Sequence, residues 1–222
     1  MEMMEWLGDL QAQVGKRSEE ISDTFHVGPA ERYRLTFDPD SEELAESAFL
    51  PPGRHGLYFL PRLDKPALRP DGTPNGAGVI PDIPMPRRMF AAEEVEFHRP
   101  IRFGETLARR TVLTDVQRKT GSSGELLFAT VTHDIGDALT VRQHTVFRHE
   151  AQGAQADAAA GARKRTALGT PTWRKSMYLD EVDLFRFSAL TWNSHRIHYD
   201  RPWAVEREGY PDLVVHGLCF PC

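Results

Sequence analysis

The segment ETLARRTVLTDVQRKTGSSGELLFATVTHDIGDALTVRQHTVFRHE, residues 105–150, decides the fold of this 222-residue chain. It contains three β-rich runs, which are separated by the turn-forming sequences TGSSG and GDA. The preceding run EEVEFHRP alternates through Val95 and Phe97, as an edge strand does. The pattern therefore predicts three long antiparallel strands and an edge strand, in a sheet with one face toward water.

The chain before this sheet has one helical pattern and then a long proline-rich stretch. Apolar residues recur at helical spacing near the N-terminus, so residues 2–17 are predicted to form a short amphipathic helix. Prolines recur throughout residues 37–88, and proline interrupts both helices and strand ladders. We expect little regular structure there, with HGLYFLP at residues 55–61 as the one buried segment.

The composition excludes several classes of protein. Apolar residues make up 40% of the chain and charged residues 27%, which suits a packed core in one or two domains. The net charge of −5 gives no electrostatic reason to expect nucleic acid or an anionic membrane as a partner. The chain shows no secretory signal and no apolar run of the ~18 residues that a membrane span needs. Because both cysteines lie in the last four residues, a cytoplasmic location is predicted.

An Ala- and Gly-rich stretch without apolar periodicity covers residues 150–170. We interpret it as a linker, with a solvent-exposed helix as the alternative. After it, WRKSMYLD (173–180) is predicted to be a strand. EVDLFRFSALT (181–191) is predicted to be a helix, and three of its residues are expected to face the core: Val182, Phe185 and Leu190.

Polar residues concentrate after this helix, in TWNSHRIHYDRPWAVEREGYPDLVVHG. If the helix ends near Trp192, Asn193 and His198 converge only if the following loop curls back, whereas His198 and Asp200 would share a face of an extended stretch. A histidine exchanges protons near neutral pH. The backbone N–H of Gly217, at the start of a buried helix, would stabilise a negative oxygen. These groups suit a reaction in which a carbonyl oxygen gains charge, such as the addition of water to an enoyl thioester.

FSALTWNSHRIHYD resembles the hydratase motif of the MaoC-like, R-specific enoyl-CoA hydratases. HGLYFLP, PRRMFAAEEVEFHRPIRFGE and EGYPDLVVHG are similar to the double hot-dog branch of that family. This branch includes mesaconyl-C4-CoA hydratase, itaconyl-CoA hydratase and the mitochondrial hydroxyacyl-thioester dehydratase type 2. The resemblance implies an α+β fold in which an antiparallel sheet wraps around a helix. It further implies a non-catalytic hot dog in residues 1–149, then the 150–170 linker, and the start of a catalytic hot dog in residues 171–222.

The resemblance implies reversible hydration of an enoyl-CoA thioester, with a dicarboxylic C5 acyl-CoA such as mesaconyl-C4-CoA or itaconyl-CoA as the expected substrate. One alternative is a 3-hydroxyacyl-thioester dehydratase of fatty acid metabolism, and another is an inactive acyl-CoA-binding fragment. No metal or redox cofactor is expected, because the thioester itself is the electron sink. The expected partners are an acyl-CoA or acyl-carrier substrate and a second copy in a homodimer, without nucleic acid or membrane.

The same resemblance implies roles for individual residues. His198 falls on the catalytic histidine of the family, and Gly217 on the glycine whose N–H receives the thioester oxygen. Asn193 stands where single hot-dog hydratases have a catalytic aspartate, so we expect His198 alone to transfer protons while Asn193 holds the water. Asp200 is expected to raise the basicity of His198 if it reaches the ring. Trp192 stands where those enzymes have glycine.

Four arginines are candidate substrate contacts. Arg196 and Arg201 flank His198 and would clamp a free carboxylate. Their alternative is structural pairing with a nearby acid: Glu206, Glu208 or Asp212. Arg87 and Arg88 would bind the phosphates of CoA or of phosphopantetheine, or else remain solvated. The basic run at residues 163–165 is interpreted as solvated surface.

Two other patterns are interpreted as incidental. His195, His198 and Asp200 form H-x-x-H-x-D, which could bind zinc, but the chain offers no obvious further ligand. Cys219-x-x-Cys222 lacks the strand and helix that a redox motif needs. For three remaining residues we expect structural roles. His216 is expected to be a hydrogen-bonded core histidine, and Trp192 and Tyr199 are expected to be packing residues.

The end of the sequence departs from the family pattern. In the hot-dog fold a long apolar helix and further strands follow His-Gly, whereas LCFPC follows here and Pro221 would end a helix after about one turn. We therefore expect the second hot dog to be incomplete, through truncation or a frameshift, or to be completed by a partner chain.

Overall fold

The computed structural model describes residues 2–149, apart from 47, 77, 82, 86 and 122–123, together with 172 and 176–217. The predicted linker, the basic run at 163–165 and the two cysteines lie outside the described residues. The predicted division into two domains therefore remains a prediction.

Five antiparallel strands form one sheet: β1 (Ser18–Thr24), β2 (Arg87–Phe97), β3 (Thr106–Gly121), β4 (Gly124–Ile135) and β5 (Leu139–Arg148). Their spatial order is β1-β3-β4-β5-β2. The three predicted long strands are β3, β4 and β5, and the predicted edge strand is β2, so this part of the prediction is confirmed. The polar sequence of β1, SEEISDT, carries no strand signal, and β1 was not predicted.

Three helices accompany the sheet in the described part of the chain: α1 (Glu2–Gln11), α2 (Val27–Phe37) and α3 (Glu181–Thr191). The helix predicted for residues 2–17 ends early, at Gln11, and α3 has its predicted bounds. Helix α2 was not predicted. Between α2 and β2 the described residues form two short 3-10 turns and isolated β-bridges, with no long regular element, as the prolines predicted. None of the helices in these ranges is both long and apolar enough to cross a bilayer.

One face of the sheet carries the core, in two clusters. Helix α1 buries Leu7 and Leu10 against the middle of β3 and β4. Helix α2 buries Tyr33 and Phe37 in a second cluster, which includes the ends of β4 and β5. The predicted buried segment at residues 55–61 belongs to this second cluster, and its burial is confirmed.

Helix α3 packs on α2, and its Leu190 packs against the second cluster, as predicted. The ring of Phe187 lies 6.0 Å from that of Phe37, and Leu184 is buried on the same side. Val182 and Phe185 are exposed, so the prediction that they face the core is wrong. The buried face is set by the position of α2, a distant segment that the periodicity of α3 alone does not reveal.

The strand predicted for residues 173–180 is also wrong where the structure describes it. Residues 176–180 are irregular, and the side chain of Tyr178 is 91% exposed. A strand needs a neighbour to accept and donate its backbone hydrogen bonds. Among the described residues no strand pairs with this segment, which instead leads into the N-cap of α3.

Candidate active site

Helix α3 is delimited by strong local signals at both ends. The Asp180 side chain accepts hydrogen bonds from the backbone N–H groups of Val182 and Asp183, and the Asp183 side chain accepts one from the N–H of Asp180 in a capping box. The helix ends at Trp192, whose φ of +53° lies in the left-handed region that favours glycine. The Trp192 side chain is 65% exposed, so its interpretation as a packing residue is wrong.

The loop after α3 begins with a hydrogen bond back to the helix and a second one within the loop. The N–H of Asn193 donates to the carbonyl of Ser188 at 2.9 Å, while its side-chain Oδ1 accepts from the N–H of His195 at 3.0 Å. Residues Arg196–His198 then form a 3-10 turn and not an extended stretch. This turn places His198 in a buried position, with the amide group of Asn193 at the entry to the same loop.

His198 is held in one tautomer by the backbone. Its Nδ1 lies 2.6 Å from the carbonyl oxygen of Val214, so Nδ1 carries the proton and donates it. A second bond, from the Val214 N–H to the Ile197 carbonyl at 3.0 Å, fastens the same two segments together. The Nε2 atom is left with its lone pair and has no hydrogen bond to the residues that the structure describes. Burial lowers the pKa of His198 below its usual value, which keeps the ring neutral and able to accept a proton.

His216 stacks on this ring. The two imidazole centroids are 3.6 Å apart, and His216 Nε2 lies 2.9 Å from the hydroxyl of Ser188. Burial, followed by the proximity of His198 and His195, lowers the pKa of His216 to about 3. His216 is therefore a buried, neutral histidine with a hydrogen bond, as expected from the sequence.

Gly217 lies against β2 of the N-terminal sheet. A Cβ atom at this position would come within 2.6 Å of the Phe90 ring, so the close approach depends on glycine. The residues that follow Gly217 lie outside the described residues, and its role as an oxyanion donor remains a prediction.

Asp200 does not reach the ring of His198. Its Oδ2 accepts from Nε and Nη2 of Arg196, at 2.9 and 2.6 Å, and its Oδ1 caps the π-helical turn Trp203–Arg207 through the N–H of Trp203. The extended geometry that would have aligned the two side chains is replaced by the 3-10 turn. The expectation that Asp200 raises the basicity of His198 is wrong. The carbonyl oxygen of Val214, and not Asp200, is hydrogen-bonded to the His198 ring.

The two flanking arginines are both paired with acids of the chain. Arg196 binds Asp200 and stacks over the Trp203 ring at 3.8 Å. Arg201 binds Glu181 and Asp212. Asp212 is one of the acids that the sequence analysis gave as alternative partners for these arginines. A carboxylate clamp at either arginine remains a prediction that requires these pairs to open.

The loop is also docked on the proline-rich segment of the N-terminal half. The N–H of Arg196 donates to the carbonyl of Asp71 at 2.8 Å, and the hydroxyl of Ser194 donates to the carbonyl of Gly72 at 2.7 Å. The hydroxyl of Tyr199 donates to the carbonyl of Ser194 from a half-exposed side chain. Asp71 and Gly72 were missed in the sequence, although Asp-Gly is a turn signal that could have marked them.

Arg88 and His195 meet in a cavity of about 410 Å³ beside this docked loop. The cavity is lined by both halves of the chain, including Arg87 at the start of β2 and Glu208 after the π-helical turn. The ring of His195 lies 5.5 Å from that of His198 and perpendicular to it. Burial, the nearby His198 and Arg88 together outweigh the opposing effect of Asp71, and they lower the pKa of His195 to about 4.

The three groups of the H-x-x-H-x-D pattern do not converge on one point, because His198 and Asp200 each have other partners. Within the described ranges, the set with ligand atoms close enough for a metal is Asp71, His195 and Glu208, within 4.8 Å of one another. Arg87 lies 3.9 Å from the Glu208 carboxylate, and such a positive charge opposes a cation. We therefore assign no metal to this set.

Comparisons with known proteins are consistent in both sequence and structure. A family model described as hydroxyacyl-thioester dehydratase type 2 matches residues 53–218. The chain is 39% identical over 211 residues to the mesaconyl-C(4)-CoA hydratase of Chloroflexus aurantiacus, in an alignment that covers 94% of this chain and 74% of that protein. It is 24% identical over 196 residues to the mitochondrial hydroxyacyl-thioester dehydratase type 2 of Schizosaccharomyces pombe, covering 78% and 65% respectively.

Solved structures of MaoC-like dehydratases have the same fold. One such dehydratase superposes with a TM-score of 0.61 at 16% identity, over 95% of this chain and 75% of the other. The MaoC-like dehydratase of Phytophthora capsici superposes with a TM-score of 0.58 at 17% identity, over 94% and 73%. The predicted α+β hot-dog fold, with its antiparallel sheet, is confirmed.

Proposed function

Because the chain belongs to the hydroxyacyl-thioester dehydratase type 2 family of MaoC-like hydro-lyases, we propose that His198 catalyses the reversible addition of water to an enoyl-CoA thioester. The supporting observation is the bond from Nδ1 of His198 to the Val214 carbonyl. This bond selects the tautomer in which Nε2 is a base. A base with a lowered pKa remains unprotonated and available at neutral pH.

The proposed reaction needs one proton acceptor and one oxyanion donor. His198 Nε2 removes a proton from water, and the hydroxide adds to C3 of the enoyl group. The electron pair moves onto the thioester oxygen, where the N–H of Gly217 would stabilise it. The protonated His198 then returns its proton to C2, which completes the 3-hydroxyacyl product. The Asn193 side chain uses Oδ1 for the loop, so its NH₂ group is the part that would orient the water.

We propose a dicarboxylic C5 acyl-CoA, such as mesaconyl-C4-CoA or itaconyl-CoA, as the substrate. Support comes from the 39% identity to a mesaconyl-C(4)-CoA hydratase over nearly the whole chain. A 3-hydroxyacyl-thioester dehydratase of fatty acid metabolism is the second candidate, favoured by the matching family model. The thioester carbonyl supplies the electron sink in either case, so the proposed steps call for no further cofactor.

The decisive experiment replaces His198 by alanine and measures hydration of mesaconyl-C4-CoA, itaconyl-CoA and crotonyl-CoA. Loss of a general base should lower kcat by about 10²- to 10⁴-fold. His98→Ala, at an exposed histidine of the N-terminal half, is the matched control and should retain wild-type turnover. Equal turnover by the His198→Ala and wild-type proteins would refute the site. Binding of an acyl-CoA by a wild-type protein with no turnover would instead favour the inactive fragment.

Assembly into a homodimer and a cytoplasmic location remain predictions. Sedimentation equilibrium of the purified protein tests the first, and cell fractionation tests the second.

A further inference from the structure

The cavity beside His195 is lined by both apolar and charged residues. The apolar ones precede β2 or lie near its start: Ile83, Pro84, Met85 and Met89. Arg88 is one of the charged ones. A small ligand with an apolar body and one anionic group would match this lining.

Arg88 is a partly buried cation. Within the described ranges its guanidinium forms no hydrogen bond and no ion pair, and its Cζ lies 6.0 Å from the centroid of the Phe147 ring. Burial, and to a smaller extent the charge of Arg69, lowers the pKa of Arg88, whereas Asp71 raises it. A cation that is removed from water without a bonded partner is costly, and a bound anion would recover that cost.

The acids that line the cavity are engaged with other groups. Glu208 accepts from Arg87 through its backbone carbonyl at 3.2 Å, and its carboxylate lies 3.9 Å from the same guanidinium. Oδ1 of Asp71 accepts from both the N–H and the hydroxyl of Thr73. His195 is neutral near pH 7 because its pKa is about 4. These contacts leave the fork of Arg88 available to an incoming anion.

We propose that Arg88 binds the free carboxylate of a dicarboxylic enoyl-CoA and thereby selects the substrate class, a role that rests on the proposed hydration at His198. Arg196 and Arg201 are weaker candidates because each is already bound to a carboxylate of the chain. A guanidinium fork matches a carboxylate with two parallel hydrogen bonds.

The position of the cavity favours an acyl carboxylate over a phosphate of CoA. His195 lines the cavity and lies next to His198. In a C5 dicarboxylic acyl group, the free carboxylate is only a few bonds from the double bond that His198 would hydrate. The phosphates of CoA lie beyond the whole pantetheine arm. This proposal replaces the expectation, drawn from the sequence, that Arg88 binds phosphate.

The test compares two substrates, mesaconyl-C4-CoA and the neutral crotonyl-CoA, in wild type and Arg88→Met. The ratio of their kcat/KM values should fall at least about 30-fold in the variant, as expected when one partner of a buried charge pair is lost. Arg88→Lys keeps the charge without the fork, and an intermediate ratio is expected. Arg142→Met, at an exposed arginine of β5, is the matched control and should keep the wild-type ratio.

Each contrary outcome has a separate meaning. If both kcat/KM values fall together in Arg88→Met, or if neither falls, the carboxylate role is overturned. If the wild type hydrates crotonyl-CoA but not mesaconyl-C4-CoA, the carboxylate role is overturned while the hydration at His198 stands. If the wild type hydrates neither, both proposals fail.

A measurement on the wild type covers the case in which Arg88→Met does not fold. Free mesaconate should inhibit crotonyl-CoA hydration competitively and more strongly than crotonamide, because crotonamide has no carboxylate for Arg88. Equal inhibition by the two compounds would overturn the proposal without any variant.

Discussion

At the scale of single residues, the chemistry of the site depends on one backbone carbonyl. Spacing in the sequence suggested Asp200 as the partner of His198, but the Val214 carbonyl receives the Nδ1–H. A neutral carbonyl orients the ring without adding a negative charge beside it. The basicity of His198 is therefore set mainly by burial, which lowers its pKa, and is not raised by a carboxylate.

This environment predicts a pH profile. His198 acts as a base only when neutral, and its pKa lies below the usual 6.5. The kcat/KM for crotonyl-CoA should therefore fall to half of its plateau value only at a pH below 6.5. Because His216 and His198 are stacked, the decline reports on the pair. A profile whose midpoint lies at or above pH 6.5 would contradict the burial argument, and His98→Ala should reproduce the wild-type curve.

At the scale of elements, a glycine turn joins the two halves of the site. Gly72 has a φ of +85°, and a Cβ atom there would overlap the backbone oxygen of Ser194. No side-chain rotation relieves a clash with backbone. The segment that contains Pro70 and Asp71 can thus dock on the loop that carries His198 only with glycine at position 72.

Gly72→Ala is therefore expected to separate the loop that carries His198 from the segment that contains Asp71. We expect a loss of at least about 2 kcal/mol in the free energy of unfolding, because backbone strain and the clash add. Turnover should also fall, because the loop that carries His198 must move. Urea unfolding and crotonyl-CoA hydration measure the two effects.

The matched control for this variant is Gly104→Ala. Gly104 has a similar φ of +88°, but a Cβ atom added there would meet no other atom within 4 Å, so only backbone strain is introduced. This control should lose stability while keeping its turnover. If both variants keep full turnover, docking at Gly72 is not needed for the site.

At the scale of the whole molecule, neutral buried histidines recur in both halves. His133, on β4, bonds the hydroxyl of Thr111, and burial, followed by the charge of Arg109, lowers its pKa to about 4. His195 and His216 have pKa values of about 4 and 3 in the folded chain. All three bind protons more readily in the unfolded chain, where the usual pKa of about 6.5 applies.

The folded state should therefore lose stability in acid. Between pH 6.5 and about 4 the unfolded chain binds more protons, so the free energy of unfolding falls as the pH falls, by up to roughly 1.4 kcal/mol per pH unit for each histidine. Urea unfolding at several pH values between 7 and 5 measures this slope. His133→Gln should reduce the slope of the free energy of unfolding against pH by the contribution of one histidine. A free energy of unfolding that does not change over this range would show that these rings titrate normally when folded.

The sequence by itself determined four of the five strands of the sheet, the bounds of α3 and the family. Hairpin strands pair across turns that are local in sequence, so TGSSG and GDA were sufficient to predict β3, β4 and β5. The capping box at Asp180 is equally local. Strand β1 and helix α2 were missed because their own residues carry weak patterns, and they are stabilised by packing on distant segments.

Only the tertiary structure decided how the site is connected. Val214, the partner of His198, is 16 residues away, and the carbonyl of Gly72 that receives the Ser194 hydroxyl is 122 residues away. Arg88 and His195 come from opposite halves of the chain to one cavity. Spacing reports which side chains share a face of one element, whereas these contacts depend on how separate elements pack, which is a property of the whole fold.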